Sequence, residues 1–467
     1  MRRFGLQPEL QGVGDWLTLG APPDVDPRDW VFLGRLSEWG RQTHVRLAVG
    51  EEKVVAIFGK RGQGKSFTLG CLLEGLALAT PDPAIAAIER PRAAILFDPL
   101  NIFQWVDIAL TDDAAAVSAE LESQVARARE WGLTGTPLEA QIFYPAGYTS
   151  NVYRSSAREF RLGVSGFGLD EWASLLDFDM VKDIRGQLAT EVWEKVTNIG
   201  WTSTTGEAVP PASDPIVGDY QRCIAEDADI QSGIYTADTI RALAQRMRSI
   251  ASHAVFQGHG TPLLDLLKAG QVSVLLLNGL PSDLRNVVAS VLTRRILAAR
   301  AEASGAQKDL MLNPHLTPTE RASREQIVAS APPKTWVVID EAQEVIPSDR
   351  RTAASSSIVK LVKEGRNFGL SLVLTTQQPI AVDQRVLSQV ETFIVHKLVS
   401  RSDVDRTIEN LKCPTPSEIH EGDRSLSLPE LLTSLEVGQV MVSDTYAPRC
   451  VVVQVRARVA AHGGFEA

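Results

Sequence analysis

Residues 54–66 read Val-Val-Ala-Ile-Phe-Gly-Lys-Arg-Gly-Gln-Gly-Lys-Ser. The five apolar residues that open this stretch predict a short buried strand, and the apolar spacing of Phe67 to Ala79 predicts a helix. The eight residues from Gly59 to Ser66 fit the pattern G-x-x-x-x-G-K-[ST]. Because the pattern lies between a strand and a helix, it predicts a loop that binds the phosphates of a nucleoside triphosphate.

Each part of this loop has a chemical task. Backbone N–H groups of a glycine-rich turn close around phosphate oxygens, and the helix N-terminus adds a partial positive charge. Lys65 is expected to reach the β- and γ-phosphates, and the Ser66 hydroxyl is expected to bind Mg²⁺. The predicted nucleotide-binding residues are Gly59, Lys60, Arg61, Gly62, Gln63, Gly64, Lys65, Ser66 and Phe67.

The composition is that of an ordinary soluble globular protein, with 467 residues, 44% hydrophobic and 22% charged. No apolar run approaches the roughly 18 residues of a membrane span. The four cysteines form no C-x-x-C pair, which favours a reduced cytoplasm as the location. The formal net charge of −10 argues against a protein coated in nucleic acid, but it leaves room for a local basic channel.

A second motif follows a predicted buried strand at residues 336–339. This strand ends in Asp340 and Glu341. Such a pair fits a carboxylate that holds Mg²⁺, here Asp340, and a carboxylate that takes a proton from the attacking water, here Glu341. Together with the phosphate loop, the pair predicts hydrolysis of ATP.

Two further polar residues follow predicted strands. Asp98 comes after the apolar run 93–97, and Gln377 comes shortly after the run 370–374. Since ligands bind at the carboxyl ends of strands in open α/β sheets, both residues are candidates to face the nucleotide. The alternative for Asp98 is a turn-forming Asp-Pro pair, and the alternative for Gln377 is an ordinary turn residue.

Other parts of the chain predict the layout around this core. Residues 165–255 have the pattern of amphipathic helices and predict a helical insertion. A helix from about 284 to 301 carries four arginines, for which a solvated face and a DNA contact are alternative interpretations. Residues 304–334 are polar and contain prolines, so they are expected to form a long loop or a poorly ordered segment. The histidines show no metal-ligand spacing; they are His44, His253, His259, His315, His396, His420 and His462.

The order of these motifs resembles the HerA branch of the HerA–FtsK ATPases. The resemblance rests on Gly-Lys-Ser at 64–66, on Asp98, and on Asp-Glu-Ala-Gln-Glu-Val-Ile-Pro at 340–347. It rests also on Glu-Gly-Arg-Asn-Phe-Gly at 364–369 and Thr-Gln-Gln-Pro at 376–379. It implies an α/β fold, a RecA-like P-loop NTPase core with a helical insertion. The implied parts are a β-rich extension (1–50), the core (51–160 and 259–447), the insertion (161–258) and a C-terminal strand and tail (448–467).

The resemblance also implies roles for residues. Lys65, Ser66, Asp340 and Glu341 would form the catalytic set, and Gln377 would act as the sensor of the γ-phosphate. Arg366, which by itself could be an exposed residue at a helix end, would be the arginine finger inserted into a neighbouring subunit. Asp98 would be the acidic residue after the second strand.

The implied function is an ATP-dependent, hexameric DNA translocase or helicase, with double-stranded DNA passing through the central channel. The sequence also resembles short HerA proteins that work with a separate effector in antiphage defence. The effector in that setting is a nuclease or a sirtuin-type NADase. The alternative is an ATP-gated scaffold that assembles and regulates the effector with little movement on DNA. The apolar piece Trp30 to Leu33 is a candidate docking anchor for the effector, and burial in its own core is the competing interpretation.

Overall fold

The structure, a computed structural model, describes residues 2–10, 14–39, 43–78, 82 and 84–464. Its strands are β1 (Gly5–Gln7), β2 (Trp16–Leu19), β3 (Trp30–Leu36), β4 (His44–Ala48), β5 (Val54–Phe58), β6 (Ala86–Ala87), β7 (Ala93–Asp98), β8 (Ala140–Pro145), β9 (Arg158–Phe160), β10 (Trp201–Thr202), β11 (Ala208–Val209), β12 (Val272–Leu276), β13 (Thr335–Ile339), β14 (Leu370–Thr376), β15 (Thr392–Val395), β16 (Glu418–Glu421), β17 (Arg424–Ser425), β18 (Gln439–Asp444) and β19 (Val451–Val455).

The helices alternate with strands in the first and last parts of the chain and cluster in the middle. They are α1 (Lys65–Leu76), α2 (Asp112–Ala115), α3 (Ala119–Glu130), α4 (Leu169–Leu176), α5 (Ile184–Glu194), α6 (Val217–Glu226), α7 (Ala237–Ala251), α8 (Leu263–Leu266), α9 (Ser282–Leu312), α10 (Pro318–Ser330), α11 (Ala342–Val345), α12 (Ala353–Glu364), α13 (Gln384–Leu387), α14 (Arg401–Asn410) and α15 (Leu428–Ser434).

One large sheet of fourteen described strands organises the molecule. Its central part is parallel, in the order β15-β5-β14-β13-β7-β12-β8-β9. The strands β5, β7, β12 and β13 are buried at every position, as expected for parallel strands covered by helices on both faces. Because these strands share one direction, the residues after their carboxyl ends meet at one edge of the sheet.

The sheet continues beyond β15 with antiparallel strands. β18, β19, β3 and β4 follow one another there in antiparallel pairs, and β2 ends the described order, where it pairs parallel with β4. The piece predicted as a docking anchor lies inside this extension. Val31, Phe32 and Leu33 are 0–4% exposed, so for these residues the competing interpretation, burial in the protein's own core, is correct.

The segment between β9 and β12 contains the helices α4 to α7 and the short hairpin of β10 and β11. Helix α4 packs on α9, which connects this segment to the sheet. The helices have apolar inner faces, with Trp172, Leu188 and Leu243 each at most 1% exposed. Within the described residues, no helix combines the length and the apolar composition needed to cross a membrane.

The prediction of a long loop or a poorly ordered segment at residues 304–334 is wrong, because helices occupy most of this range. Helix α9 extends to Leu312, and α10 occupies most of the remainder. Helix α10 begins with a capping box, in which the Thr317 backbone N–H donates to Glu320 and the Glu320 N–H donates to Thr317. None of its residues is buried, and it packs on α9, which explains why its polar sequence suggested a loop.

A buried charge network ties α1 to the C-terminal segment. The Glu74 carboxylate accepts hydrogen bonds from Arg456 (2.7 Å) and Arg458 (2.6 Å), and all three side chains are at most 2% exposed. Burial alone would raise the pKa of Glu74, but the charges of Arg458 and Arg456 outweigh it and lower the pKa. Breaking such a pair typically costs about 3–5 kcal/mol, so the network anchors the helix that follows the phosphate loop. Residues 465–467 of the predicted tail lie outside the described residues.

Candidate functional site

The phosphate loop connects β5 to α1 at the carboxyl edge of the sheet. Its backbone is fixed on both sides, because Gly59 donates to the Thr376 carbonyl (3.3 Å) and Lys60 donates to the Lys397 carbonyl (3.0 Å). Gly64 has φ +99°, in the left-handed region that favours glycine. The loop is therefore held by both neighbouring strands, β14 and β15, and it ends at the N-terminus of α1, as an anion-binding turn requires.

Lys65 is the first residue of α1 and is 5% exposed. Its ammonium group donates to the Lys60 carbonyl (3.3 Å) within the loop. Burial lowers the pKa of Lys65, while the negative charges of Glu341 and Asp340 act in the opposite direction. The lysine and the two carboxylates thus interact electrostatically across the site, which brings the two predicted motifs together.

Asp340 follows β13 and is 1% exposed. Its Oδ1 accepts a hydrogen bond from the Thr375 hydroxyl, while its Oδ2 is buried without a hydrogen-bond partner among the described residues. Burial, together with the nearby charge of Glu341, raises the pKa of Asp340 to about 6. A buried carboxylate oxygen that lacks a partner fits a cation ligand.

The residues around Asp340 suit Mg²⁺ better than a transition metal. The available groups are the Asp340 carboxylate and the Ser66 hydroxyl, and Mg²⁺ prefers such oxygen ligands together with phosphates and water. No group of three or more His, Cys, Asp or Glu side chains in the described part of the chain is arranged to hold a metal ion. The donor set therefore fits a magnesium ion that arrives with the nucleotide.

Glu341 is held in one orientation by two amide side chains. Its Oε1 accepts from Gln377 Nε2 (2.6 Å) and its Oε2 accepts from Gln343 Nε2 (2.6 Å). The residue is 4% exposed and has φ +53°, an unusual backbone conformation for a residue other than glycine. Such a backbone conformation persists where the surrounding structure fixes it. At Glu341 it directs the carboxylate toward Gln377, the residue after β14.

Two supporting residues were missed in the sequence. Thr375 donates to Asp340 and accepts a hydrogen bond from the Glu341 backbone N–H (3.2 Å). Gln343 accepts from the Thr376 hydroxyl (2.7 Å), which fixes the amide that holds Glu341. The signal was present, since Thr375 and Thr376 directly precede Gln377 and Gln343 stands two residues after Glu341.

Asp98 lies beside Asp340 but turns toward its own loop. The two strands are paired in register, with Phe97 opposite Ile339. The Asp98 carboxylate accepts from the backbone N–H groups of Leu100 (3.1 Å) and Phe103 (2.8 Å). Burial, with the charge of Asp340, raises its pKa to about 7. This geometry is the one expected for the turn-forming alternative, and a direct contact with nucleotide stays a prediction.

Arg366 lies away from the other predicted residues. It precedes β14, whereas Gln377 follows it, and a strand of seven residues spans about 23 Å. The side chain is 59% exposed and forms ion pairs with Glu391 (3.2 Å) and Glu51 (3.8 Å). Within one chain the structure does not bring Arg366 to the phosphate loop.

The arginines of α9 hold the fold together. Arg294 pairs with the buried Glu171 (2.8 Å), and Arg285 pairs with Glu344 (2.8 Å). Arg300 donates to the carbonyls of Phe368 (2.9 Å) and Pro332 (3.0 Å). Each of these three arginines is engaged with another segment of the chain, so a purely solvated face does not describe them, and a DNA contact on this helix stays a prediction.

The sequence matches two known protein families. The family described as "Helicase HerA, central domain" matches residues 31–296, which is more than half of the chain. A second family, described as "Zonular occludens toxin (Zot)", matches residues 260–401. The first match includes the phosphate loop, and the second includes Asp340, Glu341 and Gln377.

Two curated proteins resemble parts of the chain. The DNA double-strand break repair helicase HerA of Sulfurisphaera tokodaii is 26% identical over 196 residues, or 41% of this chain and 33% of that protein. The protein of the same name from Sulfolobus acidocaldarius is 25% identical over 180 residues, or 38% of this chain and 30% of that protein. The chain thus matches about a third of the length of these relatives.

A solved structure shares the fold. VirB4 of Thermoanaerobacter pseudethanolicus aligns with a TM-score of 0.51 and 13% identity, covering 94% of this chain and 98% of that one. At this identity the likeness concerns the fold alone. With the parallel strand order around β5 and β13, it confirms the predicted α/β, RecA-like P-loop NTPase core with its helical insertion.

Proposed function

This chain belongs to the family of the HerA helicase central domain, and on this premise we propose that it is an ATP-hydrolysing motor that moves on double-stranded DNA. The predicted resemblance to the HerA branch of the HerA–FtsK ATPases is confirmed by the match over residues 31–296. In the proposal, the motor is a cytoplasmic homo-hexamer with DNA in its central channel. The observation that carries it is the pairing of a buried lysine and two buried carboxylates with an arginine at the far end of β14.

The chemistry follows from the positions of these side chains. The loop N–H groups and Lys65 would hold the β- and γ-phosphates of ATP, with Ser66 and Asp340 holding Mg²⁺, which neutralises phosphate charge when bound. Glu341, fixed by Gln377 and Gln343, would take a proton from the attacking water. The water oxygen bonds to the γ-phosphorus as the bond to the β–γ bridging oxygen breaks, giving ADP and phosphate.

The position of Arg366 supports a ring. An arginine that stabilises the transferred phosphoryl group must reach it, and Arg366 is separated from Gln377 of its own chain by the length of β14. It is exposed, and its partners Glu51 and Glu391 are themselves at least 36% exposed, so these ion pairs cost little to exchange. If a neighbouring subunit presents its phosphate loop to this surface, Arg366 would complete the active site of that neighbour.

The output of the motor is proposed to reach a separate effector, a nuclease or a sirtuin-type NADase, in antiphage defence. This partnership is supported by the resemblance of the motifs to HerA chains of that setting. The alternative function is an ATP-gated scaffold that regulates the effector with little movement on DNA, and the net charge of −10 favours it. Translocation along DNA distinguishes the two.

Replacement of Glu341 by glutamine tests the hydrolytic mechanism. An amide cannot accept the proton from water, so we expect the variant to bind ATP while hydrolysis falls by about 10²–10⁴. The measurement is single-turnover hydrolysis of radiolabelled ATP together with nucleotide retention after gel filtration. Replacement of the exposed Glu364 by glutamine is the control and should behave as wild type. Rapid ADP formation by the Glu341→Gln variant would contradict the assigned role.

A further inference from the structure

A buried histidine lies beneath the phosphate loop. His396 follows β15, the strand next to β5, and its side chain is 0% exposed. Its backbone N–H donates to the Phe58 carbonyl (2.8 Å), at the point where β5 passes into the loop. The next residue, Lys397, accepts from the Lys60 N–H of the loop (3.0 Å). His396 is thus fixed to the loop through the backbone on both sides.

The imidazole ring fills the space that the loop glycines leave open. A Cβ atom at Gly59 would lie 2.6 Å from the His396 Cβ, and a Cβ atom at Gly64 would lie 3.3 Å from its Cε1. The first distance is shorter than any real contact between such atoms, and the second is a tight one. The glycines of the motif therefore allow the backbone of the loop to rest directly on His396.

The two ring nitrogens have different surroundings. Nε2 lies 3.0 Å from the Thr68 hydroxyl, on the first turn of α1. Nδ1 is buried and has no hydrogen-bond partner among the described residues. Burial and the positive charge of Lys65 lower the pKa of His396 to about 3, whereas the backbone of Gln63 acts in the opposite direction. The ring is therefore neutral and carries one N–H.

Nδ1 lies 3.7 Å from the position of a Cβ atom on Gly64, so it faces the peptide group that joins Gln63 to Gly64. We propose that His396 is a positioning residue of the phosphate loop: in the phosphate-binding form of the loop, its Nδ1–H donates to the Gln63 backbone carbonyl while Nε2 accepts from Thr68. When loop N–H groups turn toward phosphate oxygens, the carbonyls of the same peptide units turn away from the ligand and into the protein. A buried carbonyl needs a donor. Nδ1 is a buried, unused ring nitrogen beneath the loop, and it would stabilise the loop in its phosphate-binding form.

The consequence is an effect on nucleotide affinity. Loss of this hydrogen bond lowers the fraction of molecules whose loop is in the phosphate-binding form. The apparent dissociation constant for ATP rises by the factor by which that fraction falls. Loss of one hydrogen bond of ordinary strength corresponds to about a tenfold rise in the dissociation constant. At saturating ATP the loop is held by the ligand, so the maximal rate should change little. This inference rests on the proposed binding of ATP.

Two substitutions separate the ring nitrogens. His396→Asn places an amide near the position of Nδ1, and His396→Gln places one near the position of Nε2. We expect His396→Gln to weaken ATP binding about tenfold and His396→Asn to stay within about threefold of wild type, since only asparagine keeps the donor to Gln63. The measurements are the dissociation constant of a fluorescent ATP analogue, KM, kcat and the melting temperature, all on the full chain.

Thr68 supplies the matched controls. Thr68→Ser keeps the hydroxyl and should bind ATP as wild type does. Thr68→Val removes only the partner of Nε2, as His396→Asn does, and should also stay within about threefold of wild type; a tenfold loss in Thr68→Val would place the effect in the Nε2 contact and overturn the inference. Equal losses in His396→Asn and His396→Gln, no loss in either, or a larger loss in His396→Asn would each overturn the inference. A wild-type chain that binds no ATP would overturn the proposed function as well, which distinguishes the two failures.

Discussion

Replacement of Arg366 by alanine is expected to lower ATP hydrolysis by about 10³–10⁵, the range for an arginine finger supplied by a neighbouring molecule. The guanidinium is exposed, and its partners in the described part of the chain are the surface carboxylates Glu51 and Glu391, so its removal should leave the fold intact. Steady-state hydrolysis and circular dichroism provide the two measurements. Lys363→Ala, which removes an exposed positive charge near the same helix end, is the matched control and should retain activity.

Mixed rings test whether Arg366 acts across the subunit boundary. A subunit with Arg366→Ala keeps an intact phosphate loop, and a subunit with Lys65→Ala keeps an intact arginine. Where these two meet in the right order, one complete site forms and activity should partly return. Activity that stays absent at every mixing ratio, in rings shown to contain both variants, would count against a role in a neighbouring site.

Replacement of Lys65 by alanine is expected to remove ATP hydrolysis to below detection. Lys65 is buried beside the negative charges of Glu341 and Asp340, and it supplies the positive charge that offsets charge developing on the γ-phosphate. In its absence the two carboxylates would face the phosphates without this compensation. ATP turnover in a coupled assay is the measurement, with the exposed Lys308→Ala on α9 as the control.

The fold should survive this change. The ammonium group of Lys65 donates to the Lys60 carbonyl at 3.3 Å, whereas α1 is anchored separately through Glu74 and the buried arginines Arg456 and Arg458. A melting temperature close to wild type is therefore expected for Lys65→Ala. Turnover within a few-fold of wild type would show that the chemistry does not depend on this loop.

The sequence predicted the parts of the fold that depend on local pattern. The run before Gly59 and the run 336–339 before Asp340 are continuous apolar stretches, and the run 370–374 is apolar except for Ser371; each lies in a fully buried parallel strand. Because parallel strands end at one edge, the order of motifs was enough to predict that Lys65, Asp340, Glu341 and Gln377 approach one another.

Features that depend on contacts between distant segments could not be predicted in this way. Helix α10 has no buried residue, so its sequence lacks the apolar stripe that identifies a helix, and only the capping box at Thr317 and Glu320 indicated its start. The extension of the sheet through β18, β19 and β3 joins strands more than four hundred residues apart. Nothing in a local pattern specifies such a pairing.

The supporting residues of the site were missed for a similar reason. His396 stands more than three hundred residues from the phosphate loop in the sequence, and a single histidine after an apolar run carries no motif. Asp98 was assigned two alternatives because the same Asp-Pro pair serves a turn or a ligand, and only the positions of the Leu100 and Phe103 N–H groups separate them.

Displacement of a third strand from a DNA triplex reports movement of the protein along double-stranded DNA. A linear duplex carries a labelled triplex-forming oligonucleotide at one end, and release of the label is followed in the presence of Mg²⁺ and ATP. We expect release that requires hydrolysable ATP, that is lost in Glu341→Gln, and that falls as salt rises because phosphate contacts release counterions. Normal ATP hydrolysis by assembled rings without release of the third strand would contradict a motor and favour the scaffold.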